Sequence, residues 1–446
     1  YREDGTANHN NIATHTALTR EMENIEDAYF AKHLDFSGTK AFDERTGYRS
    51  KSFLTVPLCN HADEIIGVLQ LVNAKDPATG ETISFSKVQE PIVIALASSA
   101  AIALDNQILL QDHKDLLDAF IKVIAQAIDA KSQHTSAHCQ RVPVLTELIA
   151  QAACETEDGP LSTFDLDEGE WYELRVASWM HDCGKLATPD SVLDKATKLH
   201  LMQDGIETVK TRFAAAMAQV ELQFLRQTQA QPAQLNALQD VLAAELAALK
   251  DDCLFIEKAN VGGEFMKPED QAHVRRIAGR KWVDHLGMER PMLSEEEVKF
   301  LCIERGTLSF DERQKINDHM KVTVQMLESL PFPKNLKRVP EYAGGHHEKM
   351  DGTGFPRGLK REEMSWPARM MAIADVFEAL TASDRPYKQP MKISQALGIL
   401  QNMKRQNHID PDLFDLFVMS RVWEKYARIY LRPEQLDITD AATYLQ

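Results

Sequence analysis

The chain is organised around one stretch, "FSKVQEPIVIALASSAAIALDNQILLQDHKDLLDAFIKVIAQAIDAKSQ", from Phe85 to Gln133. Its apolar residues keep helical spacing, and its single proline, Pro91, lies near the start, where a helix tolerates one. It reads as a long helix joining two domains. The length agrees, because 446 residues exceed one ordinary core and favour two or three domains. With 44% hydrophobic and 26% charged residues the composition is that of a soluble globular protein. A net charge of -17 repels long nucleic acids and anionic membranes, which are bound through local excess Lys and Arg. A small phosphate substrate fits only where metal ions or clustered cations reverse the local field. Six cysteines without a CxxC pair indicate neither a disulfide framework nor a thiolate zinc site, so a reducing cytoplasm is expected. No apolar run is read as long enough to span a bilayer, and the chain opens at Tyr1 without Met. That reads as a fragment whose upstream sensory or membrane segments are missing.

Ahead of the helix, "SFLTVPL" and "IIGVLQLVNA" flank the polar "CNHADE", which predicts an antiparallel hairpin between Lys51 and Ala74. Behind it, Ile206, Val209, Phe213, Met217, Val220 and Phe224 recur every three or four residues, as do Leu235, Leu238, Leu242, Leu246 and Leu249. With "QTQAQPAQ" between them these predict a helical hairpin, an insertion bounded at about 195 and 300.

Three clusters carry chemistry. In "ELRVASWMHDCGKLATPD" His181 and Asp182 sit in a mainly apolar helical stretch, and a buried carboxylate is costly unless paired. An adjacent imidazole and bridging carboxylate suit a pair of divalent metals, although a His-Asp pair bracing a helix is the alternative. "EYAGGHHEKMDGTGFPRGL" sets His346, His347, Glu348 and Asp351 among five glycines, a loop composition. In "ARMMAIADVFEALTA" the carboxylate of Asp375 should face the interior and needs a positive partner or a structural hydrogen bond.

"TGYRSKSFLTVPL", "IIGVLQLVN" and the closing helix resemble a GAF domain through Leu110, with that family's first strands and helix missing. "HDCGK", "HHEKMDGTGFPRGL", "AIADVFEALTASDRPYK" and "DPDLFDLF", in that order, resemble the HD-GYP family of bacterial phosphodiesterases. The resemblance covers about Asp129 to Leu431 outside the insertion. The implied fold is an α+β GAF-like sensor domain, residues 1–110, followed by an all-α HD-type metal phosphohydrolase domain, residues 111–446, with a helical-hairpin insertion. The resemblance implies metal binding by His181, Asp182, His319, His346, His347 and Asp375. Asp129 falls where many members carry a metal-binding Glu, and three ions with Asp129 on the third are favoured over two. His134 and His138 are read as outer partners or substrate contacts, with surface exposure as the alternative. Phe355 stands in place of the signature Tyr, which removes a hydroxyl.

The activity implied is hydrolysis of cyclic-di-GMP at a 3′ phosphodiester to linear pGpG, with GMP as a further product. Asp182 bridges two ions, iron or manganese, that activate a shared water. Asp182 and Lys185 are the catalytic candidates, and Lys185, Arg385 and Lys388 the candidates for holding phosphates. The rivals are another cyclic dinucleotide as substrate, or a silent cyclic-di-GMP receptor. Asn73, Lys75, Phe85 and Glu90, with Gln89 in place of an Asp, echo a motif of cyclic-nucleotide-binding GAF domains, which leaves a small GAF ligand open. Diguanylate cyclases of the GGDEF type are further expected partners. The apolar surface of "IVIALASSAAIALDNQILL" predicts a parallel homodimer.

Overall fold

The computed structural model describes residues 7–9, 11–131, 137–200, 203–230, 235–263, 265–383 and 390–445. By internal contacts the chain divides into two compact units, Tyr1–Ala119 and Phe120–Gln446.

In the first unit the helices α1 (Ile12–Thr19) and α2 (Ser37–Thr46) accompany a sheet of β1 (Glu23–Ile25), β2 (Phe53–Cys59) and β3 (Ile65–Val72), and α3 (Glu90–Lys131) follows. The sheet order is β1-β2-β3, all antiparallel, and the expected hairpin is β2-β3, in register from Phe53↔Val72 to Leu58↔Gly67. Period-two alternation serves two cores here. Leu54, Val56 and Leu58 form one cluster with Val93, Ala97 and Ala101, spaced four apart on α3, whereas Phe53 joins Ile12, Ile25 and Phe36. Helix α3 starts at Glu90 rather than Phe85, with Pro91 in its first turn, where the missing N–H costs nothing. Among the described residues α3 alone is long and apolar enough to cross a membrane by length and composition. This corrects the expectation that no run reaches that length. Its Ile92, Leu96, Ile102, Leu110, Leu116 and Phe120 are exposed.

Asn73 adopts a left-handed φ of 64° and acts as a hub. Its Oδ1 accepts from Lys51 N at 2.6 Å, and its Nδ2 donates to Tyr48 Oη and Arg49 O, both at 2.8 Å. Lys75 Nζ donates to Thr82 Oγ1, and Asn24 Nδ2 donates to Glu90 Oε1 and Phe85 O. The side chains of Asn73, Lys75 and Glu90 thus bond within the frame of the unit.

Among its described residues the second unit is mainly helical, with a two-stranded ribbon of Lys281–Val283 and Glu289–Pro291. Its helices begin with α4 (His138–Cys154), α5 (Glu168–Met180) and α6 (Asp190–Leu193). Then come α7 (Ile206–Ala230), α8 (Leu235–Val261), α9 (Pro268–Ala278), α10 (Glu295–Leu301) and α11 (Phe310–Asn317). The last are α12 (His319–Ser329), α13 (Val339–Gly345), α14 (Trp366–Thr381), α15 (Ile393–Arg405), α16 (Pro411–Met419) and α17 (Val422–Tyr430). The main core joins α4, α5 and α14–α17 through residues such as Leu145, Ile149, Leu174, Phe377, Phe414, Phe417 and Trp423. Helices α7 and α8 form the expected hairpin. Val209, Phe213, Leu249, Ile256, Ile277 and Leu301 gather in a separate cluster, so the segment between them carries a core of its own.

Candidate metal centre

Five chain segments deliver the clustered side chains, four of them at helix ends. Helix α5 stops at Met180, so His181 is its C-cap and Asp182 lies in the turn beyond, not within the helix as the apolar run suggested. His346 is the C-cap of α13, His319 opens α12 directly after α11, and Asp375 lies inside α14. Ending a helix at a histidine has a chemical use. Nδ1 of His181 donates to Ser178 O at 2.7 Å, Nδ1 of His346 to Ala343 O at 2.6 Å, and Nδ1 of His319 to Ile316 O at 2.5 Å. Each ring therefore takes the carbonyl three residues back, which fixes the tautomer and turns the Nε2 lone pair inward.

The inward atoms form two groups that could hold metal ions: Asp182, His319, His346 and His347, and His138, His181 and Asp375. Asp182 lies between them. Its Oδ1 is 3.2 Å from His319 Nε2, while its Oδ2 is 3.3 Å from His181 Nε2 and 3.4 Å from His138 Nε2. Asp182 Oδ1, His319 Nε2 and His346 Nε2 are buried without a hydrogen-bond partner among the described residues. Buried polar atoms left this way cost stability unless a cation meets them, so the donor set fits divalent ions.

The electrostatics agree. Burial, helped by His347 and His181, holds His346 well below the ordinary imidazole range, and burial lowers His347 to about 4, so both rings are neutral donors at physiological pH. Burial works against ionised Asp182, but Lys185 and His181 outweigh it and keep its carboxyl well down. Burial likewise opposes ionisation of Asp375, and His138 outweighs it. Lys185 sits in the 3-10 turn Cys183–Ala187, and its Nζ lies 2.5 Å from Asp182 Oδ2.

His138 is buried, so surface exposure, the alternative left open for it, is set aside. Its Nε2 is 3.3 Å from Asp375 Oδ1, and its Nδ1 bonds Glu378, which also takes Arg141 Nε at 2.6 Å. Asp129 lies outside both groups. Its Oδ1 accepts from Cys139 N at 3.3 Å, and its Oδ2 is buried without a partner among the described residues. Arg385, Lys388 and His134 lie outside the described residues.

The loop after His347 is fastened by Glu348, a fully buried carboxylate that accepts from Arg357 N, Gly358 N and Leu359 N at 2.7, 3.2 and 3.0 Å. That places the Phe355 ring against His347, centroids 4.9 Å apart and planes 18° apart. The aromatic face makes this contact and needs no hydroxyl, which answers the substitution noted in the sequence. Asp351, prominent in the same motif, is exposed, and its carboxylate accepts from Thr353 N and Oγ1.

Two families match this chain: the GAF domain over residues 2–104 and the HD domain over residues 296–413. His319, His346, His347 and Asp375 fall within the second match. The 3′3′-cGAMP-specific phosphodiesterase 3 of Vibrio cholerae is 36% identical over 308 residues, 68% of this chain and 40% of that protein. A probable cyclic di-GMP phosphodiesterase of the same organism is 36% identical over 124 residues, 27% of this chain and 28% of the relative. A cyclic di-GMP phosphodiesterase of Thermotoga maritima is 24% identical over 212 residues, 44% of this chain and 56% of the relative. The chain thus spans less than two thirds of each.

Proposed function

Because this chain is a GAF-domain and HD-domain protein, we propose that it is a metal-dependent phosphodiesterase that opens a cyclic dinucleotide. The observation that carries the reading is the pair of donor groups meeting at Asp182, with three imidazoles locked by backbone carbonyls. We assign His319, His346 and His347 to one ion, His138, His181 and Asp375 to a second, and one oxygen of Asp182 to each. Asp129, with its unpartnered buried oxygen, is where a third ion would be held. Iron or manganese suits a centre of imidazole and carboxylate donors. When bound, such ions lower the pKa of a water to near neutrality and take up charge on the phosphate.

The chain's own groups then have distinct tasks. Asp182 keeps the two groups in register. Lys185, whose ammonium is raised above its ordinary range by Asp182 and Asp375 although burial opposes this, stays charged and holds a non-bridging phosphate oxygen. Arg385 and Lys388 hold the second phosphate. The substrate we assign is cyclic-di-GMP, cut at a 3′ phosphodiester to the linear dinucleotide. A second reading, 3′3′-cGAMP, draws support from the Vibrio cholerae relative that matches 68% of the chain. The GAF domain and α3 act as the regulatory input, α3 pairing two chains in parallel. A small GAF ligand, GGDEF partners and a cytoplasmic setting complete the proposal.

The test is to incubate iron- or manganese-loaded protein with each dinucleotide and follow linear product by mass spectrometry. Product from cyclic-di-GMP supports the reading, and product only from 3′3′-cGAMP moves the assignment to the second substrate. Tight binding without product makes the protein a receptor.

A further inference from the structure

His138 differs from the other histidines of the centre in how its ring is held. His181, His319 and His346 follow helical residues and use the carbonyl three positions back. His138 instead opens α4, and its Nδ1 bonds a carboxylate, that of Glu378. Glu378 is fully buried and lies one turn beyond Asp375 on α14, as Arg141 lies one turn beyond His138 on α4. The two helices therefore meet as paired rungs: His138 faces Asp375 and Glu378, and Arg141 closes on the far oxygen of Glu378. A carboxylate needed only to neutralise Arg141 would have no reason to divide its oxygens between arginine and imidazole.

We propose that Glu378 is a positioning residue that sets the affinity of the second ion by fixing the Nδ1–H tautomer of His138 and raising the basicity of its Nε2. The inference rests on the metal-centre reading above. A carboxylate behind a ligating imidazole orients the ring and strengthens it as a donor, and removing such a partner costs about 10–100-fold in metal affinity. Arg141, bound to the other oxygen, keeps the carboxylate from rotating away and supplies its countercharge. Glu378 touches no substrate and acts only through His138.

Cobalt(II) titration of the full chain, followed by visible absorption and metal content, tests this. Wild type is expected to bind two or more ions. Glu378→Gln should weaken one of them about 10–100-fold and leave the ion at His319, His346 and His347 unchanged. Glu378→Gln added to His138→Ala should cause no further loss, because the two act on one bond. If Glu378→Gln does not fold, Glu378→Asp retains the charge for Arg141 while withdrawing the carboxylate from His138, and the same selective loss is expected. Unchanged affinity in whichever Glu378 variant folds overturns the proposal and leaves the metal centre standing. A further loss in the double variant likewise shows that Glu378 does not work through His138. A wild type that binds no cobalt overturns the metal-centre reading itself.

Discussion

Gly184 is the tightest point of the candidate site. It follows Asp182 in the turn that also carries Lys185, and its N donates to Thr323 Oγ1 at 2.9 Å. A Cβ there would lie 2.0 Å from His319 O and 2.6 Å from Thr323 N, both backbone atoms of the facing helix α12. Reaching an ordinary 3.4 Å contact means parting the Asp182 turn from His319 by about 1.4 Å. Metal-ligand distances tolerate roughly 0.2 Å, so Asp182 and His319 cannot serve one ion across that gap. Gly184→Ala should therefore cost about 3 kcal/mol, the upper range for overpacking. In a unit of this size that lowers Tm by several degrees, and metal content should fall on the His319 side. Calorimetry with metal analysis of purified Gly184→Ala checks both. A Tm and metal content equal to wild type would refute the reasoning, because Thr323 Oγ1 can turn aside but the two nearest atoms are backbone.

Asp182→Ala should retain the fold and lose hydrolysis, read by linear product against a thermal melt; wild-type turnover by metal-loaded variant would remove Asp182 from the centre. Phe355→Tyr should match wild type in metal content and turnover, whereas Phe355→Ala, which uncovers His347, should weaken metal binding about tenfold. The carboxyl of Glu378 is held down to about 2; burial opposes this, and His138 and Arg141 outweigh it. A lowered carboxyl contributes stability above its ordinary value of 4.5 and loses it as pH falls toward about 2. Urea denaturation of metal-free protein should thus show falling stability over that window, more shallowly in Glu378→Gln. Helix α3 should pair two chains, so light scattering at micromolar concentration should report a dimer, and a monomer would count against the role given to its exposed apolar residues.

How far the sequence discloses this site depends on how each residue announces itself. Adjacent His181 and Asp182 in an apolar run and adjacent His346 and His347 in a glycine-rich one draw attention, but their assignment as ligands comes from the family resemblance, because a brace within a helix or incidental surface residues would account for the pairs equally. The hairpin and α3 follow from periods of two and near four. The burial of His138 is not legible, because it closes the polar run "SQHTSAH", which has the composition of a surface turn, and it is the packing of α4 on α14 that encloses it. Glu378 lies in the apolar run around Asp375, and its spacing of three from Asp375 is the signal that puts it on the same helix face. Asp351 looks equal to Glu348 in the motif, yet of the two Glu348 alone is buried, a difference set by the closing of the loop.

The most direct measurement is anomalous scattering at the manganese edge from manganese-loaded crystals. One peak should lie among Asp182, His319, His346 and His347 and another among Asp182, His138, His181 and Asp375, with Asp129 near any third. Full metal loading with no peak at these residues would contradict the assignment.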